Sequence, residues 1–449
     1  MCVSMRSESH VPSLVQVPRS ALDQAVSEAT TIRNAAAVAG LLRDKAVTTM
    51  GKSNRTPAVY EGREQALVKH VLLQSYLEKL FLIIGTGARC SEPVELCYVD
   101  CFAGPWGGNE ETLEGTSIAI SLNTLHTCRE KLASLGISAN IRALYVEREP
   151  QAFSRLSTHL KRATPVGLVA DCLHGDFVLL RGEILQWCGS TAFTFFFIDP
   201  KGWKPVGINI LRPLLLRRRS EFLINFIYDF INRTASMAEY QHDMAEFLGE
   251  AVDLSEMAPA ERERCLLGTY RRHLTQRVPS TKSEYQARTA YVRVMDRTRE
   301  RTKYHLVYLT SHPVGVIEFM DISQDVHLVQ QQVRAQTRTD LREKRTGMRD
   351  LFADQTPDET DTSQVDAAAV DDYWLDYLVS GARLIGRGEF ADILEQTDWM
   401  PRDLQASLLR LLKAGRIRNL DAGTTARHKK PLHFEKGERL ELVELGTTR

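Results

Sequence analysis

The sequence predicts an α/β fold, a parallel sheet with helices on both faces, followed by a smaller separate unit. Two observations carry that expectation. Leu96-Cys97-Tyr98-Val99 is a short apolar run that ends on Asp100 and enters the small-residue turn Cys101-Phe102-Ala103-Gly104-Pro105. Further along, Phe193-Thr194-Phe195-Phe196-Phe197-Ile198 ends in Asp199-Pro200-Lys201-Gly202-Trp203. Continuous apolar strands belong to parallel sheets covered on both faces. An acid and a turn at their C-terminal ends are how such sheets line a ligand crevice.

The elements follow in order. Residues 1–55 are polar and low in aromatics, and are expected to form a flexible segment outside the core. Glu64 to Ile84 reads as a helix, with Leu67, Val71, Leu72, Tyr76, Leu80 and Ile83 at helical spacing. Strand 96–100 leads to a helix near 115–135. Strand 141–147 leads to helix 150–163. A short strand over 166–170 precedes Gly175-Asp176-Phe177 and helix 177–187. Strand 193–199, a helix near 207–217 and strand 221–228 complete the alternation, which calls for parallel strands. Residues 229–288 read as a charged helical insertion. The stretches 290–295 and 304–311 read as a terminal hairpin. The sheet domain is thus expected over 56–330, a linker over 331–366, and a second domain over 367–449.

Composition sets the bounds. The chain has 449 residues, 43% hydrophobic and 25% charged, with 57 basic and 57 acidic side chains. It can build packed cores, and any preference for a polyanion must be local. The eight cysteines are scattered without a CxxC pair. They read as reduced, small apolar residues, as in a cytoplasmic protein, and no metal site is expected. No apolar run reaches the ~18 residues of a membrane span, and the N-terminus lacks the apolar core of a signal peptide.

The strand-end residues set out the chemistry. An adenosyl donor such as S-adenosylmethionine needs small residues where its methionine part meets the backbone. It needs a carboxylate at the end of the second strand for the ribose diol, and a further acceptor for the adenine amine. The chain offers Asp100 with Phe102 and Gly104, then Glu147, then Asp176, at successive strand ends. A nicotinamide dinucleotide would need G-x-G-x-x-G directly after the first strand. Here an acid ends that strand, and Pro105-Trp106 interrupts the pattern. At the fourth strand, Asp199, the Pro200 carbonyl and Trp203 suit an acceptor amine: the acceptors localise its lone pair and the aromatic face holds its ring. The plainer alternative is a strand terminated by Asp-Pro with Trp203 packed on a helix. His70 either lines the cofactor pocket or is a satisfied, half-buried histidine. Asp229, just past the fifth strand, reads as a helix cap.

The last domain has another character. Three helices, then 415–420 and 431–434 as two wing strands, suit a winged helix-turn-helix. Between residues 401 and 432, eight cations (Arg402, Arg410, Lys413, Arg416, Arg418, Arg427, Lys429 and Lys430) face only Asp403 and Asp421. Such a unit can set a helix and a wing on nucleic acid. It can equally bind protein, or be a solvated face.

These motifs together resemble the bacterial three-Cys-motif partner proteins. The resemblance rests on Lys69-His70 with Leu73 and Tyr76-Leu77, on Tyr98-Val99-Asp100-x-Phe102-Ala103-Gly104-Pro105, on Gly115-Thr116-Ser117 with Ala119, and on Phe197-Ile198-Asp199-Pro200-x-Gly202. It covers about residues 60–325. The family's Gly-Pro-Gly is Gly104-Pro105-Trp106 here, so Trp106 stands where a glycine would approach the cofactor. The resemblance implies a Rossmann-like class I methyltransferase sheet, S-adenosylmethionine as cofactor, and a radical-SAM-like protein with a three-cysteine motif as partner. The resulting expectation is a methyltransferase acting on an amine in nucleic acid. The alternatives are a non-catalytic adaptor for that partner and a DNA-binding defence component.

Overall fold

The computed structural model describes residues 56–88, 92–104, 113–279, 286–347, 365–423 and 430–443. The N-terminal segment 1–55, Pro105, Trp106, Arg427 and Lys429 lie outside the described residues.

The chain enters through helix α1 (Glu64–Gly87), then alternates β1 (Val94–Asp100), α2 (Ser117–Ser134), β2 (Ala139–Glu147), α3 (Pro150–Ala163), β3 (Val169–His174), α4 (Phe177–Cys188), β4 (Phe193–Ile198), α5 (Ile208–Leu215) and β5 (Ser220–Phe226). Three helices follow, α6 (Tyr228–Thr234), α7 (Gln241–Leu248) and α8 (Pro259–Arg277). They occupy the stretch read as a helical insertion. A hairpin of β6 (Arg288–Met295) and β7 (Thr302–Thr310) closes the sheet.

The strand order is β3-β2-β1-β4-β5-β7-β6. β1 to β5 are mutually parallel, and β7 runs antiparallel to both β5 and β6. This is a Rossmann-like, doubly wound order with an antiparallel hairpin at one edge. The chain turns back between β1 and β4, the switch point at which α/β sheets open a crevice at the C-terminal strand ends.

Every residue of β4 is buried. Its side chains alternate between two cores, as pleating requires. Phe195 and Phe197 join Leu72, Leu77 and Phe81 of α1. Phe196 and Ile198 join Ile208 and Leu211 of α5 and Leu266 of α8.

Boundaries differ from the sequence reading in several places, and the second wing strand, expected over 431–434, lies at Glu438–Leu442. β3 runs to His174 rather than ending at 170, and Tyr228 starts a helix rather than ending β5. Helix α9 (Pro313–Thr346) fills the first half of the stretch expected as linker. Its polar later turns are held by Gln330, Val333 and Thr337, which repeat at helical spacing and are buried. Val333 packs with Tyr60 and Leu67. The helix begins at Pro313, with His312 accepting from the Val314 N–H (3.2 Å), and stops at Gly347 with φ +67°.

The C-terminal unit comprises α10 (Ala367–Leu378), β8 (Arg383–Ile385), α11 (Arg387–Thr397), α12 (Pro401–Lys413), β9 (Ile417–Asn419) and β10 (Glu438–Leu442). The three strands form an antiparallel sheet in the order β8-β10-β9. Trp374 is buried at its centre, and Phe390 stacks on Phe434 with centroids 4.3 Å apart. Charged contacts fasten this unit to the sheet domain. Arg271 meets Asp398 at 2.9 Å, Arg402 meets Asp325 at 3.0 Å, and the nearly buried Arg288 pairs with Asp392.

Candidate active site

Because β1 to β4 are parallel, Asp100, Glu147, Asp176 and Asp199 all arrive at one edge of the sheet. Their surroundings differ, and so does what each can do.

Asp100 is fully buried. Its Oδ1 accepts from the Phe102 N–H at 3.1 Å and its Oδ2 from the Ser117 hydroxyl at 2.6 Å. The carboxylate therefore folds its own turn back onto the start of α2. Burial pushes its pKa up to about 6, the two hydrogen bonds pull against that, and the charge of Asp199 adds to the rise.

Glu147 is 4% exposed, and its Oε1 accepts from the Glu149 N–H at 2.6 Å. Oε2 takes no hydrogen bond among the described residues, so it is the oxygen available to a diol. The adjoining turn is tied down by the Ala103 N–H, which donates to the Val146 carbonyl at 2.9 Å. Phe102 is half-buried, its ring 5.0 Å from Phe177, and Gly104 is half-buried beside it.

Asp176 has a job of its own. It caps α4, accepting from the Val178 N–H at 2.8 Å, and its other oxygen lies 3.6 Å from Arg148. That second oxygen is partly exposed at the sheet edge beside the exposed Arg148 side chain.

Asp199 is held from two sides. The ammonium of Lys69 on α1 sits on Oδ2, and the Asn225 amide Nδ2 donates to Oδ1 at 2.6 Å. Asn225 lies near the end of β5, the neighbouring strand. The sequence reading named neither Lys69 nor Asn225 as a site residue. A lone amide inside the apolar run of β5 is the signal that marks Asn225.

The structure chooses between the readings left open for Trp203 and His70, and it moves Asp229 off the cap position. Trp203 is 4% exposed and belongs to the core, meeting Phe247 of α7 edge-on at 5.1 Å, so it has no face free for a second ring. Pro200 is buried beside it. His70 is buried with Nδ1 3.1 Å from the Tyr60 hydroxyl. Burial and the neighbouring Lys69 push its pKa down to about 3, so it is a neutral, partnered histidine. Asp229 lies in the first turn of α6, not at its cap, and pairs with Lys303 at 3.0 Å and Arg301 at 3.1 Å.

Of the six described cations of the basic stretch, four meet acids from outside it. Arg402 meets Asp325, Arg410 meets Asp371 at 2.7 Å, Arg418 meets Glu441 at 2.8 Å, and Lys430 lies 3.5 Å from Glu435. Among the described residues no cluster of metal-ligating side chains occurs, and no helix is long and apolar enough to cross a membrane.

No protein-family profile and no curated protein matches the chain. Several solved structures are similar in shape. A Legionella pneumophila protein of the family DUF519 shares 13% identity over 61% of this chain and 92% of its own, with a TM-score of 0.33. The precorrin-6y C5,15-methyltransferase of Geobacter metallireducens shares 13% identity over 53% of this chain and 88% of its own, with a TM-score of 0.24. The methyltransferase PaMTH1 of Podospora anserina, solved with S-adenosylhomocysteine bound, shares 10% identity over 67% of this chain and 99% of its own, with a TM-score of 0.24. At such scores these likenesses carry no argument, and the fold rests on the strand order itself, a doubly wound, Rossmann-like sheet.

Proposed function

We propose that this chain is an S-adenosylmethionine-dependent methyltransferase acting on an amine, with nucleic acid as the substrate class. One observation carries the reading: at the switch point of a β3-β2-β1-β4-β5-β7-β6 sheet, four acids stand at the ends of four consecutive strands. Glu147 Oε2 takes the ribose diol. The turn 101–104 receives the methionine part, and Asp176 the adenine amine. S-adenosylmethionine supplies an electrophilic methyl group when bound. Asp199, held in place by Lys69 and Asn225, faces the incoming amine. Preorganised acceptors of this kind lower the cost of orienting a nucleophile.

We read the C-terminal unit as a winged helix, from its helix–strand–helix–helix–strand–strand order. It gives the enzyme a second contact with its substrate or with a radical-SAM-like three-Cys-motif partner. The test is transfer of a labelled methyl group from S-adenosylmethionine to deproteinised RNA and DNA, with Asp199→Ala as control. Label on one nucleic acid in the wild type only is the expected result. No label on either polymer removes the substrate class.

A second reading has its own support. With Lys69 seated on Asp199 and Trp203 in the core, the acceptor end is occupied by the chain's own groups. A docking platform for the partner, without chemistry, accommodates that arrangement. It requires co-purification of the partner, undiminished by Asp199→Ala.

A further inference from the structure

Asn225 stands out among the buried polar groups. It is 6% exposed, and its Nδ2 is committed to Asp199 Oδ1 at 2.6 Å. That contact fixes the orientation of the amide, because a carboxylate needs the donor end. The other end, Oδ1, is shielded from solvent and has no hydrogen-bond partner. A buried acceptor left open is costly, and one beside Asp199 at the C-terminal strand ends calls for a donor.

The charges around it narrow what that donor is. The Asp199 carboxylate is already balanced by the Lys69 ammonium. A second ammonium entering here would meet the first. A neutral amino group conjugated to a ring brings N–H donors without charge, and its ring nitrogen is not protonated at neutral pH.

We propose that Asn225 is a substrate-binding residue, whose Oδ1 receives an N–H of a neutral, ring-conjugated amine such as the exocyclic amine of a nucleobase. The inference rests on the methyltransferase reading and names the acceptor class of that site. Asn225 thereby takes over the orienting part that the buried Trp203 does not fill. Because Oδ1 is shielded, entry requires a side chain to move.

The test uses the full chain saturated with S-adenosylhomocysteine and saturation-transfer NMR with adenosine, cytidine, uridine and n-butylamine as probes. Adenosine or cytidine is expected to bind at least tenfold more tightly than uridine, which lacks the amine, and n-butylamine is expected not to bind. Asn225→Leu and Asn225→Ser, each checked for a native melting transition, are expected to erase the preference for the amine-bearing nucleoside. Three results overturn the proposal: a preference that survives in a folded Asn225 variant, equal binding of all nucleosides to the wild type (as when a water alone fills the gap), or binding of n-butylamine over the nucleosides. Failure of the underlying reading looks different, since the wild type then gives no binding heat with S-adenosylhomocysteine at all.

Discussion

The ammonium of Lys69 on α1 rests on the carboxylate of Asp199 at the end of β4, joining residues 130 positions apart. This contact closes the sheet edge between α1 and the β1–β4 switch point. Both side chains are mostly buried, at 15% and 19% exposed. Removing one partner strands the other.

Lys69→Met is accordingly expected to destabilise the protein by about 2 kcal/mol, between the values for exposed and fully buried pairs. Lys69→Arg is expected to recover most of that. Urea denaturation of the three proteins at pH 7 checks it. A Lys69→Met variant as stable as the wild type would show the pair contributes nothing.

Asp100 makes stability depend on pH. Its folded pKa, about 6, lies above the ordinary 3.8. Such a group favours folding while protonated, so its contribution is whole below about pH 4 and is lost as pH rises through 6. The loss amounts to about 3 kcal/mol. Asp100→Asn is expected to flatten the stability curve between pH 4 and 7. Denaturation midpoints across that range give the answer, and an unchanged slope would contradict the assignment.

Trp203 is read as core, not as part of the site. Trp203→Ala is expected to cost about 3–5 kcal/mol, as for a large buried aromatic, while Trp203→Phe keeps most of the stability. Thermal melts decide this. A Trp203→Ala variant with a wild-type melt and lost ligand binding would restore its role at the crevice.

The C-terminal unit is held by Arg288, 5% exposed at the side chain and set between Asp392 and Glu395, and by Arg271 on Asp398. Arg288→Ala takes the guanidinium from both acids and leaves Glu395 with its hydrogen bonds from Thr289. The double variant Arg271→Ala/Arg288→Ala is expected to loosen the unit and increase tryptic cleavage between it and the sheet domain at least several-fold. Unchanged digestion would show that apolar packing of α11 on α9 suffices.

The sequence exposed much of the sheet and less of the site. The apolar run of β4 and the acids ending β1, β2 and β4 were legible because burial on both faces leaves few residue choices. The roles of Lys69 and Asn225 were not, and the packing of Trp203 was one of two readings the sequence left open. Trp203 is buried by Phe247, which arrives on α7 from a separate part of the chain. Lys69 finds Asp199 only once α1 lies beside the sheet, and Asn225 finds it only across neighbouring strands. The polar turns of α9 read as linker because two of the three residues on their buried face, Gln330 and Thr337, are polar, and only Val333 packs with Tyr60 and Leu67.

The central claim is that the ends of β1 and β2 hold an adenosyl ligand, with Glu147 on the ribose. Isothermal titration with S-adenosylhomocysteine, wild type against Glu147→Ala, tests it most directly. Micromolar binding by the wild type, weakened at least tenfold in the variant, is the predicted result. No heat from a folded wild type at millimolar ligand, or equal affinity in both proteins, would contradict it.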